Sequence, residues 1–401
     1  MTFRLPPYPY DRLDELAALG RALPGGLVDC SVGTPYDPPP AAVVEALASS
    51  GTERGYPPSA GSATLRQAAA DWMTRRFGLG DLFAPSGPAT AAAPATSSGR
   101  ANAVGRPHAG LAACVGTKEF VASVPHVLRL RRPERDTVLF PEISYPTYAM
   151  GAALAGCRAV TVPALPGRSG GLDLSAVDPD DAARALVLWS NSPSNPTGGL
   201  GDLGAEAAWA RAHDVPLFSD ECYAEFTWDG LPRSVLEHGA AGVVAVHSLS
   251  KRSNLAGLRV GFYAGDPELV EFLRAVRQHS GLMVPGPAQA AGVAALGDDE
   301  PVAVQREIYR ERLSLMAAVL EAYGCPTTLP EGGFYLWVPV PKGRWPDAWA
   351  MARSLATEGG VLVSPGDLYG KAGADHVRVA VVQPTERLAV VGERLARVNH
   401  G

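Results

Sequence analysis

Short polar clusters in this sequence carry residue types able to do chemistry. Lys251 follows Ser248-Leu249-Ser250, directly after the apolar run 242–246 (GVVAV). A lysine placed there is drawn partly out of water, which lowers its pKa and makes it a better Schiff-base amine. Further on, Arg259 stands in NLAGLRVG, and a fixed arginine beside hydroxyls makes a phosphate site. Asp220 and Tyr223 lie in SDECY, Asn195 in SNSPSNPTG and Tyr145 in PEISYP. Each is ordinary alone. S-x-S-K also describes a surface lysine in a loop, and N-P-T-G a plain turn.

Such clusters end most of the apolar runs that read as buried strands: 137–140 (TVLF), 158–162 (RAVTV), 185–189 (ALVLW), 215–218 (VPLF) and 242–246. Helical patterns lie at 41–48, 62–77 and 205–213, with Ser62 opening the second and Gly78 closing it. Alternating β and α with buried strands predicts an α/β fold, a mostly parallel sheet sandwiched by helices. Such sheets bind ligands beyond the C-terminal ends of their strands, where the clusters fall. From about Pro287 the pattern changes to a helix at 302–323, a strand at 332–337, a helix at 348–358 and a strand at 377–382. That reads as a smaller α+β domain. The expected organisation is residues 1–50 as an N-terminal arm and part of the small domain, 51–286 as the large domain, and 287–401 as the small C-terminal domain. Residues 84–110 collapse to Ala, Pro, Ser, Thr and Gly, which reads as a low-complexity loop insertion, with His108 a solvated loop residue.

Composition narrows the function. At 401 residues the chain exceeds one ordinary core. Its net charge of −6 gives no electrostatic reason to expect a nucleic-acid partner. Cys30, Cys114, Cys157, Cys222 and Cys325 are scattered with no C-x-x-C, so neither a disulfide framework nor a zinc site is expected and no metal is called for. The proline-bearing start is not a signal peptide, and no apolar run is long enough to span a membrane, so the expected location is the cytoplasm.

Taken together, the segments GTKE (116–119), PEISYPTY (141–148), NSPSNPTG (191–198), SDECY (219–223) and HSLSKRSNLAGLRVG (247–261), with Arg378 in HVRVAVV, resemble the fold type I pyridoxal 5′-phosphate (PLP) aminotransferases of the class I/II group. They occur in the expected order over nearly the whole chain. The resemblance implies that Lys251 carries PLP as a Schiff base and shuttles the proton, and that Asp220 pairs with the pyridine nitrogen. It implies that Asn195 and Tyr223 bond the ring hydroxyl oxygen and that Tyr145 stacks on the ring, a core aromatic being the alternative. The phosphate would be held by the N–H groups of Thr117 and Lys118 at a helix start, with Ser248 and Arg259. Tyr56 would reach the phosphate of a neighbouring subunit in a homodimer, local packing being the alternative. Arg378 would grip the substrate α-carboxylate, with Gly33 in SVGTP adding its N–H.

Within the group, the phrases GTKEFVASVP, PEISYPTYAMGA, LWSNSPSNPTG and SDECYAEFTWDG look most like actinobacterial N-succinyldiaminopimelate aminotransferases of lysine biosynthesis. That implies N-succinyl-LL-2,6-diaminopimelate and 2-oxoglutarate as the pair. Aminotransferases for aspartate, alanine, methionine or aromatic amino acids, and a β-C–S lyase on the same fold, stay open. Segment 84–110 has no place in the family pattern.

Overall fold

The computed structural model of the protein describes residues 6–83, 109–168 and 170–398. The expected insertion at 84–110, and His108 in it, fall almost wholly outside them. Its end is corrected, however: Ala109 already donates its N–H to Leu82 O at 2.9 Å, and Gly110 opens a strand.

Seven strands form the large sheet: β1 (Gly110–Cys114), β2 (Thr137–Pro141), β3 (Arg158–Val162), β4 (Ala185–Asn191), β5 (Leu217–Asp220), β6 (Val243–Ser248) and β7 (Gly261–Gly265). Their spatial order is β1-β7-β6-β5-β4-β2-β3. All pairings are parallel except those of β7, which runs antiparallel to both β1 and β6. The five strands read from sequence are the parallel ones. Their apolar character follows from burial on both faces: every residue of β4, β5 and β6 is buried.

One face of the sheet packs with the helices Ala63–Phe77 and Gly286–Gly297 in a core containing Leu65, Trp72, Ala245, Phe262 and Leu296. The other face packs the helix Thr117–Arg131 in a core containing Phe120, Tyr148, Trp189 and Phe218. Ser62 caps Ala63–Phe77, its Oγ accepting from Leu65 N at 3.1 Å, and Gly78 closes it at φ 70°.

A third core gathers Leu13, Leu16 and Val28 from the N-terminal segment with residues of the helix Glu300–Ala322 and of a three-stranded antiparallel sheet. That sheet has the order β9-β10-β8, with β8 at Tyr335–Pro339, β9 at Ser364–Pro365 and β10 at His376–Ala380. Val28–Asp29 pairs in parallel with Val361–Leu362, which binds the arm to this body. By core membership we place the crossing between bodies at Asp298–Glu300, beyond the division expected at 286/287. The alanine-rich helix Gly286–Gly297 buries Ala288, Ala291, Ala295 and Leu296 on the large sheet.

Candidate active site

The C-terminal ends of neighbouring β4, β5 and β6 deliver Asn191, Asp220 and Ser248 to one edge of the sheet. A cavity of about 440 Å³ opens there. Gly33, Thr117, Lys118, Tyr145, Asn195, Asp220, Tyr223, Ser248, Lys251, Arg259 and Arg378 all line it. Of the residues singled out from sequence, Tyr56 alone lies elsewhere. Its side chain is 96% exposed in the single chain.

Lys251 sits in a one-turn helix, Leu249–Arg252, that Ser248 caps by accepting from Ser250 N at 3.1 Å. Its ammonium donates to Gly33 O. Burial, then repulsion from Arg378 and Arg259, pulls the amine down to about 8, against the opposing pull of Cys222 and Asp220. Asp220 faces it, accepting from Tyr148 Oη at 2.9 Å and from Cys222 N at 3.2 Å. Desolvation still raises its pKa above the ordinary carboxylate value, because these two donors do not replace the lost water.

Asn191 shapes the turn after β4. Its Nδ2 donates to Asp220 O at 2.8 Å, and its Oδ1 accepts from Asn195 N at 2.7 Å. That leaves the Asn195 side chain facing Arg378, whose Nη1 donates to Asn195 Oδ1 at 2.8 Å. Arg378, on β10, is fully buried and sandwiched between the rings of Tyr335 and Tyr369, at 4.3 and 4.7 Å. Its Nη2 donates to Ser31 O, and its Nε has no partner. Among the described residues no carboxylate pairs with Arg378 or Arg259.

Arg259 adopts the left-handed region at φ 57°, which turns its guanidinium back toward the start of the helix Thr117–Arg131. Gly116 precedes that helix at φ 74°, and a Cβ there would run into the Arg259 guanidinium. No side chain caps the helix, so its N-terminus, Arg259 and the Ser248 hydroxyl form an anion cradle. Lys118 Nζ turns away from it, donating to Tyr8 Oη at 3.1 Å. Tyr145 meets Tyr148 edge-on at 6.0 Å. Tyr223 Oη lies 2.8 Å from Tyr335 Oη.

Two cations without carboxylate partners, an orphaned Arg378 Nε, a poorly solvated carboxylate and a deprotonatable lysine define what the cavity takes. It suits a group with a phosphate, a basic ring nitrogen and a carbonyl, together with a carboxylate substrate. The sequence profile of the family "Aminotransferase class I and II" matches residues 26–395. The chain belongs to this aminotransferase family. The aminotransferase is 40% identical over 400 residues to the probable aminotransferase Rv1178 of Mycobacterium tuberculosis, covering 98% of this chain and 85% of that one. It is 39% identical to the 4-dedimethylamino-4-oxo-anhydrotetracycline transaminase OxyQ of Streptomyces rimosus, covering 98% and 99%. Its fold matches a solved probable N-succinyldiaminopimelate aminotransferase of Thermus thermophilus with a TM-score of 0.80, at 31% identity, covering 97% and 99%. The protein is thus a PLP-dependent aminotransferase acting on amino acids and 2-oxo acids, and the cavity's donor set fits PLP.

The sequence reading left Asn191, Tyr148, Tyr335, Tyr369, Tyr8 and Tyr10 without parts. Asn191 and Tyr148 stood inside quoted motifs and were the findable ones. The others come from the arm and the second body, and only the tertiary fold brings them here.

Proposed function

We propose that this aminotransferase moves the amino group between N-succinyl-LL-2,6-diaminopimelate and the 2-oxoglutarate/glutamate pair, in the cytoplasm and as a homodimer. The observation that carries the site reading is Lys251, half-buried and drawn down to about 8, in one cavity with the Asp220 carboxylate and two arginines that have no carboxylate partner. The likeness to the Thermus protein supports the substrate.

Lys251 would bond the cofactor, Asp220 would pair with its ring nitrogen, and Asn195 and Tyr223 would meet its ring oxygen, with Tyr145 against the ring. Thr117, Lys118, Ser248 and Arg259 would take the phosphate, and Tyr56 would reach across to the neighbouring subunit's phosphate. When bound, PLP supplies an electron sink conjugated to the substrate α-carbon. The protein does the rest. Arg378, with the Gly33 N–H, fixes the α-carboxylate in a two-pronged grip and so fixes which α-bond is presented. Lys251, when not bonded to the cofactor, would be the amine that takes the α-proton and returns it. Asp220, short of hydrogen bonds, gains most when a cation is held beside it, which keeps the ring nitrogen protonated. The buried Tyr335 and Tyr369 rings keep water from the Arg378 grip.

A second reading draws on OxyQ, which by its name is a transaminase of 4-dedimethylamino-4-oxo-anhydrotetracycline. The aromatic wall of Tyr8, Tyr10 and Tyr145 would suit a planar acceptor. Half-reactions separate the readings. The PLP-loaded protein is mixed with N-succinyl-LL-diaminopimelate, glutamate, aspartate, alanine and cystathionine in turn, and loss of the lysine-bound cofactor absorbance is followed. Fast loss with the first two is expected. Loss with other donors only would keep transamination and discard this substrate, and pyruvate from cystathionine would make the protein a lyase.

A further inference from the structure

We propose that Tyr335 is a positioning residue for Tyr223, donating its phenol proton to the Tyr223 oxygen so that the Tyr223 O–H is left to point into the cavity. This rests on the reading of Lys251 and Tyr223 given above and extends it to a residue with no assigned part.

Tyr335 opens β8 and Tyr223 follows β5, so the bond ties the end of the large sheet's β5 to the small sheet, within a core that holds both rings. Their phenol oxygens are 2.8 Å apart and their rings cross at 70°. Among the described residues each phenol has this one hydrogen-bond partner. Two phenols own two protons and share one bond, so one O–H is spent and the other is free. Were Tyr223 the donor, the free proton would sit on Tyr335, whose ring lies under the Arg378 guanidinium at 4.3 Å with its oxygen pressed against Gly33. Both phenols line the cavity, but the reading above gives the Tyr223 O–H to the cofactor's ring oxygen, and a proton spent on Tyr335 could not make that bond. With Tyr335 as donor, both protons are used as soon as an acceptor enters the cavity. A phenol that accepts one bond also donates more strongly, because the chain of bonds polarises it.

The Tyr335 ring cannot swing away. Arg378 covers one face, Phe334 packs at 4.9 Å, and a Cβ at Gly33 would already collide with the phenol. The charged and titratable groups around the pair are Cys222 and Asp220 after β5, Lys251, Arg378 on β10 and Tyr10 from the arm. A Tyr335→Phe change leaves all of them in place.

A stronger Tyr223 donor stabilises negative charge on the cofactor's ring oxygen and so lowers the pH at which the Lys251 linkage takes up a proton. The test is a pH titration of the visible absorbance of the PLP-loaded protein for parent, Tyr335→Phe, Tyr223→Phe and the double variant, with a melting curve on each. Tyr335→Phe is expected to raise the midpoint by roughly half a unit to one unit, the worth of one hydrogen bond. The same change in the Tyr223→Phe background is expected to move nothing. An unmoved midpoint in Tyr335→Phe, or an equal shift in both backgrounds, overturns the inference while leaving the functional reading intact. A parent protein with no pH-dependent lysine-linked band overturns the functional reading first and this inference with it.

Discussion

Two buried arginines, Arg252 at the end of the lysine's own helical turn and Arg378 on the cavity wall, are treated in opposite ways. Arg252, the residue after Lys251, spends every donor on the protein. Its Nε reaches Glu225 Oε1 at 3.3 Å, Nη1 reaches Ser253 Oγ at 2.9 Å and Ala295 O at 2.5 Å, and Nη2 reaches Asp298 O at 3.3 Å and Asp299 Oδ1 at 2.5 Å. Glu225 in turn accepts from Trp72 at 2.9 Å and from both prongs of Arg76. Arg378 is as deeply buried, yet it has no carboxylate and an idle Nε. A buried guanidinium without an anion is expensive, and that cost is tolerated where an anionic ligand will supply the partner. The first arginine fixes the scaffold behind the lysine at the point where the chain crosses between the bodies. The second is a site in waiting.

Matched changes to methionine, which keep the stem and remove the charge, would break this contrast if it is wrong. Arg378→Met should cut kcat/KM for an amino donor by about 10²-fold to 10³-fold, the loss of a buried two-pronged ion pair. Its melting point should stay close to the parent's, because an uncompensated charge is removed along with its packing. Arg252→Met should lower stability by about 3 kcal/mol in denaturant titrations, since it strands part of Glu225, Asp299 and two carbonyls. Equal destabilisation by both changes would mean that Arg378 is a scaffold residue after all.

A smaller effect sharpens the lysine side. In the cofactor-free protein, burial lowers Lys251 from 10.5 to about 8. Between those values the unfolded chain holds a proton that the folded chain has shed, so this group makes stability rise with pH there. Below about 8 its penalty is complete. Lys251→Met should therefore be more stable than the parent near neutrality, with the advantage shrinking as pH rises from about 8 to about 10.5. Thermal melts across that range check it, and a constant difference would place the amine in water.

Legibility followed the same division. The central parallel strands could be read because burial on both faces makes them continuous apolar runs, and a polar cluster after most of the parallel strands marks the C-terminal end. β1 and β7 escaped. GLAAC adjoins the low-complexity stretch, and GFYAG follows directly on the lysine motif with two glycines and no alternation. The helix Thr117–Arg131 was visible only at its start, since Pro125 interrupts its pattern. On the large sheet, side chains close in sequence share the site, so Asp220, Tyr223, Ser248 and Lys251 could be grouped from motifs. Tyr335 and Tyr369 lie outside those motifs, in a core that Tyr223 also joins, and no local pattern marked them as partners of Arg378. Arg252 was legible as a neighbour of the lysine but not as its anchor, because Glu225, Asp299 and Trp72 come from three separate elements.

The central claim is that Lys251 bonds the cofactor, and borohydride reduction of the PLP-loaded protein followed by peptide mapping tests it most directly. The account predicts a single pyridoxyl label on the peptide containing Lys251. It also predicts that Lys251→Ala takes no label and loses turnover by about 10⁴-fold. A label on another lysine, or an active Lys251→Ala protein, would contradict it.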